Sequence, residues 1–153
     1  MARFGDDPDE FVTYDGALVS REPPHGATVV VVSESPGGWR YLILHRAHAG
    51  PDFEGDWAWT PPSGARFPGE PIEACAAREL AEEAGLAGEI VPVAVDREWA
   101  VFELVVPWET EVQVDGVEHD RFAWLTFEEA CRRCLPEAVT DSLRLGSREN
   151  RQV

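Results

Sequence analysis

The stretch from Gly64 to Leu86 reads "GARFPGEPIEACAARELAEEAGL" and sets Glu70, Glu79, Glu82 and Glu83 around one short segment of a chain whose net charge is already −16. Pro71 to Ala84 is rich in Ala, Glu, Leu and Arg, with Pro at its start and Gly85 just past its end, which predicts a helix. At about 100° per residue, Glu79, Glu82 and Glu83 fall within an arc of about 100°. Like charges at helical neighbour spacing repel. Two readings are open: a solvated acidic helix side, or a carboxylate cluster that receives a hard divalent cation such as Mg²⁺, which takes oxygen ligands and keeps waters for substrate phosphates.

Upstream, "GATVVVVSESPGGWRYLILHR" predicts a hairpin, with strands at about Thr28–Ser33 and Trp39–His45 around a Ser-Pro-Gly-Gly turn. Ala47 to Glu70 is dense in Gly, Pro and Asp and reads as a long loop with at most a short strand around Trp57–Thr60. Downstream, "EIVPVAVDREWAVFELVVPWETEV" suggests two or three strands and "RFAWLTF" another. "TFEEACRRCLPEAVTDSLRL" then predicts a helix capped by Thr126 with Glu129 three residues on, split or kinked at Pro136. The tail "GSRENRQV" has nothing to bury and is expected to fray.

The 153 residues suit one domain. No apolar run approaches the roughly 18 residues of a membrane span, and the acidic "MARFGDDPDEF" start does not have the pattern of a secretory signal. A cytoplasmic protein without a membrane partner is expected. Three cysteines without a signal sequence point to free thiols. Cys131 and Cys134 form a CxxC inside a helical pattern, which reads as two thiols on a helix, because a redox CxxC opens a helix after a strand. All thirteen basic residues are arginine, so chemistry that needs a lysine nucleophile or a P-loop lysine is excluded. With 29 acidic residues against 13 basic ones, long nucleic acid is a poor partner.

The Gly64–Leu86 segment resembles the Nudix box, with Gly64, Glu70, Arg78, Glu79, Leu80, Glu82, Glu83, Gly85 and Leu86 at its fixed positions. The resemblance implies a single Nudix domain across 1–153, with its core at about 25–146, in an α/β fold: an α/β/α sandwich around a mixed β-sheet. It implies hydrolysis of a nucleoside diphosphate linked to another moiety, with Mg²⁺ or Mn²⁺ ions to hold the diphosphate and acidify a water and a carboxylate to take the proton. Glu79, Glu82 and Glu83 then resemble the metal-binding and catalytic carboxylates, and Arg78 the residue that orients one of them. Gly64 is carried both in the metal set and, with Glu70 and Gly85, among the residues that shape the loop. "VEHDRFAWLTFEEA" resembles a segment of branches that act on diadenosine polyphosphates or dihydroneopterin triphosphate, which makes Glu118 a candidate metal ligand and base. The alternative is a surface Glu before the last strand. Ser63 and Phe67 stand where many members have Gly and Glu, which removes an accessory carboxylate.

Without lysine, phosphate contacts fall to metal, backbone N–H groups or arginine. Arg46 and Arg66 are the candidates, each with a surface ion pair as its other reading. His119 is a second-rank phosphate candidate. Trp57 and Trp59, if extended, share one face and either stack a base or pack the sheet. The substrate reading is a (di)nucleoside polyphosphate or nucleoside triphosphate, a small-molecule partner. The alternatives are a nucleotide sugar, or a non-catalytic nucleotide-binding regulatory module. A homodimer is the assembly the resemblance suggests.

Overall fold

The computed structural model of the protein describes residues 10–12, 18–20, 22–96 and 98–148. The end of the tail, expected to fray, lies outside the described residues. Strands β1 (Glu10–Val12) and β2 (Leu18–Ser20) pair antiparallel as a small separate sheet.

The predicted hairpin is present and longer than its sequence signal: β3 spans Gly26–Ser35 and β4 Gly38–Arg46. Its turn is set locally. The Ser35 hydroxyl donates to the Gly38 carbonyl at 2.7 Å and accepts from the Gly37 N–H at 3.1 Å, and Gly38 takes φ +116°, which glycine adopts without a Cβ penalty. The long loop contains two short strands, β5 (Trp59–Thr60) and β6 (Ser63–Ala65), of which only the first was expected.

Helix α1 covers Ile72–Ala84, with Pro71 as N-cap. Gly85 ends it at φ +66°, its N–H reaching the Ala81 carbonyl while the Leu86 N–H reaches that of Leu80, the left-handed helix stop that favours glycine. Strands β7 (Val91–Asp96), β8 (Trp99–Val105) and β9 (His119–Leu125) follow. Two helices close the chain, α2 (Phe127–Arg133) and α3 (Glu137–Leu145), with Pro136 splitting them. The Thr126–Glu129 capping box forms as expected.

The main sheet runs β5-β4-β3-β8-β7, with β6 also pairing β3 and β9 also pairing β4. Only β3 with β8 is parallel, so the sheet is mixed. Strand side chains alternate between faces, and the core divides accordingly. Val29, Val31, Leu42, Leu44, Phe102 and Leu104 pack with Cys75, Ala76, Leu80 and Ala84 of α1. Val30, Val32, Tyr41, Ile43 and Val101 pack on the other face with Ala130, Val139 and Leu143 of α2 and α3. Because β3 is covered on both sides, it reads as a continuous Val run rather than an alternating one. This is the α/β/α sandwich the sequence implied. Cys75, Cys131 and Cys134 are in no disulfide, and burial pushes the Cys134 thiol up to about 12, which suits packing rather than redox chemistry. Among the described residues no helix is long and apolar enough to cross a membrane.

Candidate active site

The helix face read from the sequence is held by one arginine. Arg78 donates from Nε to Glu70 Oε2 at 2.9 Å, from Nη2 to Glu70 Oε1 at 3.0 Å and to the Ala65 carbonyl at 2.9 Å. Its Nη1 reaches Glu79 Oε1 at 2.7 Å and Glu82 Oε1 at 3.3 Å. Two-pronged arginine–carboxylate bonds fix orientation as well as charge, so the loop before α1 is tied to the helix through Glu70. These hydrogen bonds hold Glu70 below the usual carboxylate range, against the opposing effect of its partial burial. Glu70 also accepts the Phe67 N–H at 3.0 Å. Phe67, standing where a carboxylate is common, puts its ring 3.9 Å from the Arg78 guanidinium carbon, a cation–π contact that keeps this side of the arginine covered.

Gly64 sits against Glu79. A methyl group on Gly64 would overlap the Glu79 carboxylate, so the glycine leaves the room that the carboxylate occupies and a larger residue would displace it. Glu79 is 8% exposed and Glu83 is 4% exposed, whereas the Glu82 side chain is 59% exposed. The shared face is therefore graded in depth. Burial raises the Glu79 carboxyl to about 7 despite Arg78 beside it. Glu83 rises to about 9, first by burial and then by the neighbouring Glu79 and Glu118 charges, with the Ser63 N–H opposing. That N–H donates to Glu83 Oε1 at 2.9 Å.

Glu83, exposed Glu118 and buried His119 each offer a ligand atom, and these atoms lie within 4.8 Å of one another. Glu79 and Glu82 are not part of this group. Glu118 is delivered by a built loop: Asp115 Oδ1 accepts the N–H groups of Val117 at 2.9 Å and Glu118 at 3.0 Å, and the Glu118 carbonyl takes the Ala47 N–H at 2.9 Å. His119 opens β9 opposite Arg46 of β4. Burial and then the Arg46 charge lower its imidazole to about 4, so it is neutral near pH 7.

The remaining candidates separate. Arg46 lies beside this group, where its charge acts on both Glu83 and His119, and its buried Nε has no partner. Arg66 is 8% exposed and donates to Ser20 Oγ at 3.1 Å, the Glu22 carbonyl at 2.6 Å and the Glu70 carbonyl at 3.3 Å, while its buried Nε has no partner. These bonds fasten the loop before α1 to the β2 end. The two tryptophans differ in depth. Trp57 has φ +67° and is 50% exposed, while Trp59 is 3% exposed with its ring 4.7 Å from that of His45. The extended dipeptide expected there does not form, because the backbone turns left-handed at Trp57. Its N–H is held by the Leu135 carbonyl at 2.6 Å.

Trp57 lines an apolar pocket of about 200 Å³ with Thr28, Thr60, Ser63, Trp99 and Val139. Thr28 Oγ1 is occupied by the Trp99 Nε1–H at 2.9 Å, whereas Thr60 Oγ1 is buried without a partner. Ser63 lines this pocket and its backbone N–H bonds Glu83, but the pocket lies with Val139 on the α2/α3 side of the sheet, whereas Glu83 comes from α1 on the other side. Sequence reasoning missed Thr60, Trp99 and the Ser63 amide, and only the two side chains carried any signal. It also missed His45, fully buried, with Nδ1 at 2.9 Å from Asp120 Oδ1 and Nε2 at 2.7 Å from the Phe53 carbonyl, which ties the Ala47-to-Trp57 loop to the sheet.

Comparison with known proteins meets the same residues. The family model for the NUDIX domain matches residues 23–144. An asymmetrical bis(5′-nucleosyl)-tetraphosphatase of Sus scrofa is 36% identical over 87 residues, covering 48% of this chain and 59% of that protein. The match thus spans under two thirds of that relative's length. Among solved structures, an Ap4A hydrolase binary complex from C. elegans has a TM-score of 0.59 at 24% identity, covering 78% of this chain and 92% of the other. The MutT protein of Methanosarcina mazei Go1 has a TM-score of 0.53 at 26% identity, covering 86% and 99%.

Proposed function

The chain belongs to the NUDIX family, and from that premise we propose that it is a divalent-metal-dependent pyrophosphohydrolase of dinucleoside polyphosphates or nucleoside triphosphates. The observation that carries this reading is Glu83: a carboxylate 4% exposed, beside Glu118 and Glu79, whose hydrogen bond from the protein is one backbone N–H. A buried carboxylate is costly to ionise without a compensating cation. The donor set, Glu83 and Glu118 with Glu79 behind, fits a hard divalent ion that prefers oxygen, and these residues with Glu82 and the Gly64 backbone are the ones that would hold it. When bound, the ion supplies charge neutralisation for a diphosphate and acidifies a water.

The chain's own residues do the rest. Arg78 fixes Glu79 and ties the loop to α1 through Glu70, so both carboxylates keep their positions as charge enters or leaves the site. The Ser63 N–H orients Glu83 through one oxygen. Glu118, exposed at the edge of the cluster, takes the proton from the attacking water as general base. Arg46, whose charge acts on both Glu83 and His119, contacts a phosphate oxygen through its guanidinium. Trp57, half exposed, is the aromatic side chain offered to stack a base. The Ap4A hydrolase likenesses support a polyphosphate substrate over a nucleotide sugar.

The test is release of phosphorylated product with Mg²⁺ or Mn²⁺ across nucleoside triphosphates, diadenosine polyphosphates and nucleotide sugars, beside Glu83→Gln. Turnover that disappears with the variant and in EDTA is expected. Silence across the panel, with a nucleotide still raising the melting temperature, would replace the enzyme with a binding module.

A further inference from the structure

His119 is unexplained by the chemistry just described. It is 1% exposed, and neither of its ring nitrogens has a hydrogen-bond partner. The sheet can satisfy a buried imidazole, since His45 on β4 has both nitrogens engaged, by Asp120 and by the Phe53 carbonyl. Buried polar groups are paired with few exceptions, and each exception calls for a cause such as a missing ion.

The surroundings of His119 suggest that cause. Arg46, opposite it in the β4–β9 ladder, follows Leu42 and Leu44 in alternation, and those two pack on the α1 side of the sheet. Glu83 comes from α1 itself. One ligand atom from each of Glu83, Glu118 and His119 lies within 4.8 Å of the other two, although His119 makes no direct hydrogen bond to either carboxylate. Ligand atoms on opposite sides of one small divalent ion stand roughly 4 Å apart, twice a bond of about 2.0–2.1 Å. A single ion fits among the three.

We propose that His119 is a nitrogen ligand of the divalent cation held by Glu83 and Glu118, so that this site favours Mn²⁺ and, more strongly, Co²⁺ over Mg²⁺. An imidazole in place of one oxygen shifts a site toward first-row transition ions, whose affinities rise from Mn²⁺ to Co²⁺, whereas Mg²⁺ favours oxygen and retained water. The inference rests on the metal-dependent reading of the same site and adds to it a ligand and a preference.

The experiment uses the full chain, stripped of metal and titrated with Mn²⁺, with pulsed electron paramagnetic resonance of the bound ion as the readout. A ¹⁴N coupling is expected in the wild type. It should change to the ¹⁵N pattern when only histidine is ¹⁵N-labelled, and vanish in His119→Gln. In the same variant Mn²⁺ affinity should fall by about 10-fold or more, as for loss of a metal-site partner, and Mg²⁺ affinity by less than about 3-fold. Bound Mn²⁺ without histidine nitrogen coupling in the wild type overturns the proposal, and that measurement stands even if the variant does not fold. An equal fall in both affinities overturns the preference. Hydrolysis assayed alongside separates the two readings. Turnover without nitrogen coupling sinks the ligand and leaves the enzyme, while nitrogen coupling without turnover on any substrate does the reverse. Absence of Mn²⁺ binding at millimolar concentration removes both.

Discussion

The two ends of α1 carry the same residue type in opposite conditions. Toward the loop, Glu70 and Glu79 are met by Arg78, whose guanidinium is shared among three carboxylates and a backbone carbonyl and covered by the Phe67 ring. Toward the helix C-terminus, Glu83 lies deeper, beside Glu118 and unpartnered His119, with one backbone N–H bonded to it. Arg78 holds Glu70 ionised, while burial leaves both Glu79 and, more strongly, Glu83 short of positive charge, a contrast between the loop-holding carboxylate and the buried ones that sequence spacing alone does not show.

The largest test of this division compares Glu83→Gln with Glu70→Gln. If the division is right, Glu83→Gln lowers kcat by about 10³-fold or more, comparable to losing a principal charge-stabilising group, with an unchanged circular dichroism spectrum. Glu70→Gln should lose about 10-fold and show its damage in stability. Equal losses in the two variants would erase the distinction. Arg78→Met comes next. Removing one partner of a largely buried ion pair costs about 3–5 kcal/mol, and displacing Glu79 should lower kcat by about 10²-fold. A variant as stable as wild type would show that Arg78 is not the fastener of this end.

A third test reads pH in the absence of metal. The Glu83 carboxyl stands at about 9 in the fold against an ordinary 4.5, so the neutral form is the one the fold favours. That contribution is fully present below pH ~4.5 and is lost as pH rises toward ~9. In EDTA the wild type should therefore lose melting temperature relative to Glu83→Gln as pH goes from 5 to 9, by about 2–4 °C per kcal/mol for a chain of this size. Divalent metal should reverse the trend, since it binds the ionised form. A gap independent of pH would place Glu83 outside the buried, unmet group. The smallest effect is expected at Trp57→Ala, a rise in KM of about 10-fold with little change in melting temperature, whereas Trp59→Ala should lower stability by about 3–5 kcal/mol. Similar behaviour of the two would contradict their different placement.

What could be read ahead of the structure was what is locally encoded. Pro71 and Gly85 bracket α1, Thr126 and Glu129 cap α2, and Pro136 divides α2 from α3, each through contacts within a few residues. The depth gradient along Glu79, Glu82 and Glu83 was not legible, because it depends on how α1 lies on the sheet. The bonds of Arg66 were not legible because its partners, Ser20 and Glu22, come from a segment more than forty residues earlier in the chain. The turn at Trp57 was not legible because a bulky residue at φ +67° runs against local preference and is held there by Leu135, far downstream. Thr60 and Trp99 meet only through the parallel-strand architecture that brings β8 beside β3.

The bond that seats Glu83 comes from the amide of Ser63, not from its hydroxyl, which turns instead to the Pro61 carbonyl at 3.2 Å. Position 63 is thus a site whose chemistry is written in the main chain. A library of side-chain exchanges there would score as permissive, and proline, which has no N–H to give, would stand out as the intolerant substitution. Tolerance to most replacements at a residue bonded to the buried Glu83 carboxylate is, for this protein, the mark of its importance being independent of the residue chosen.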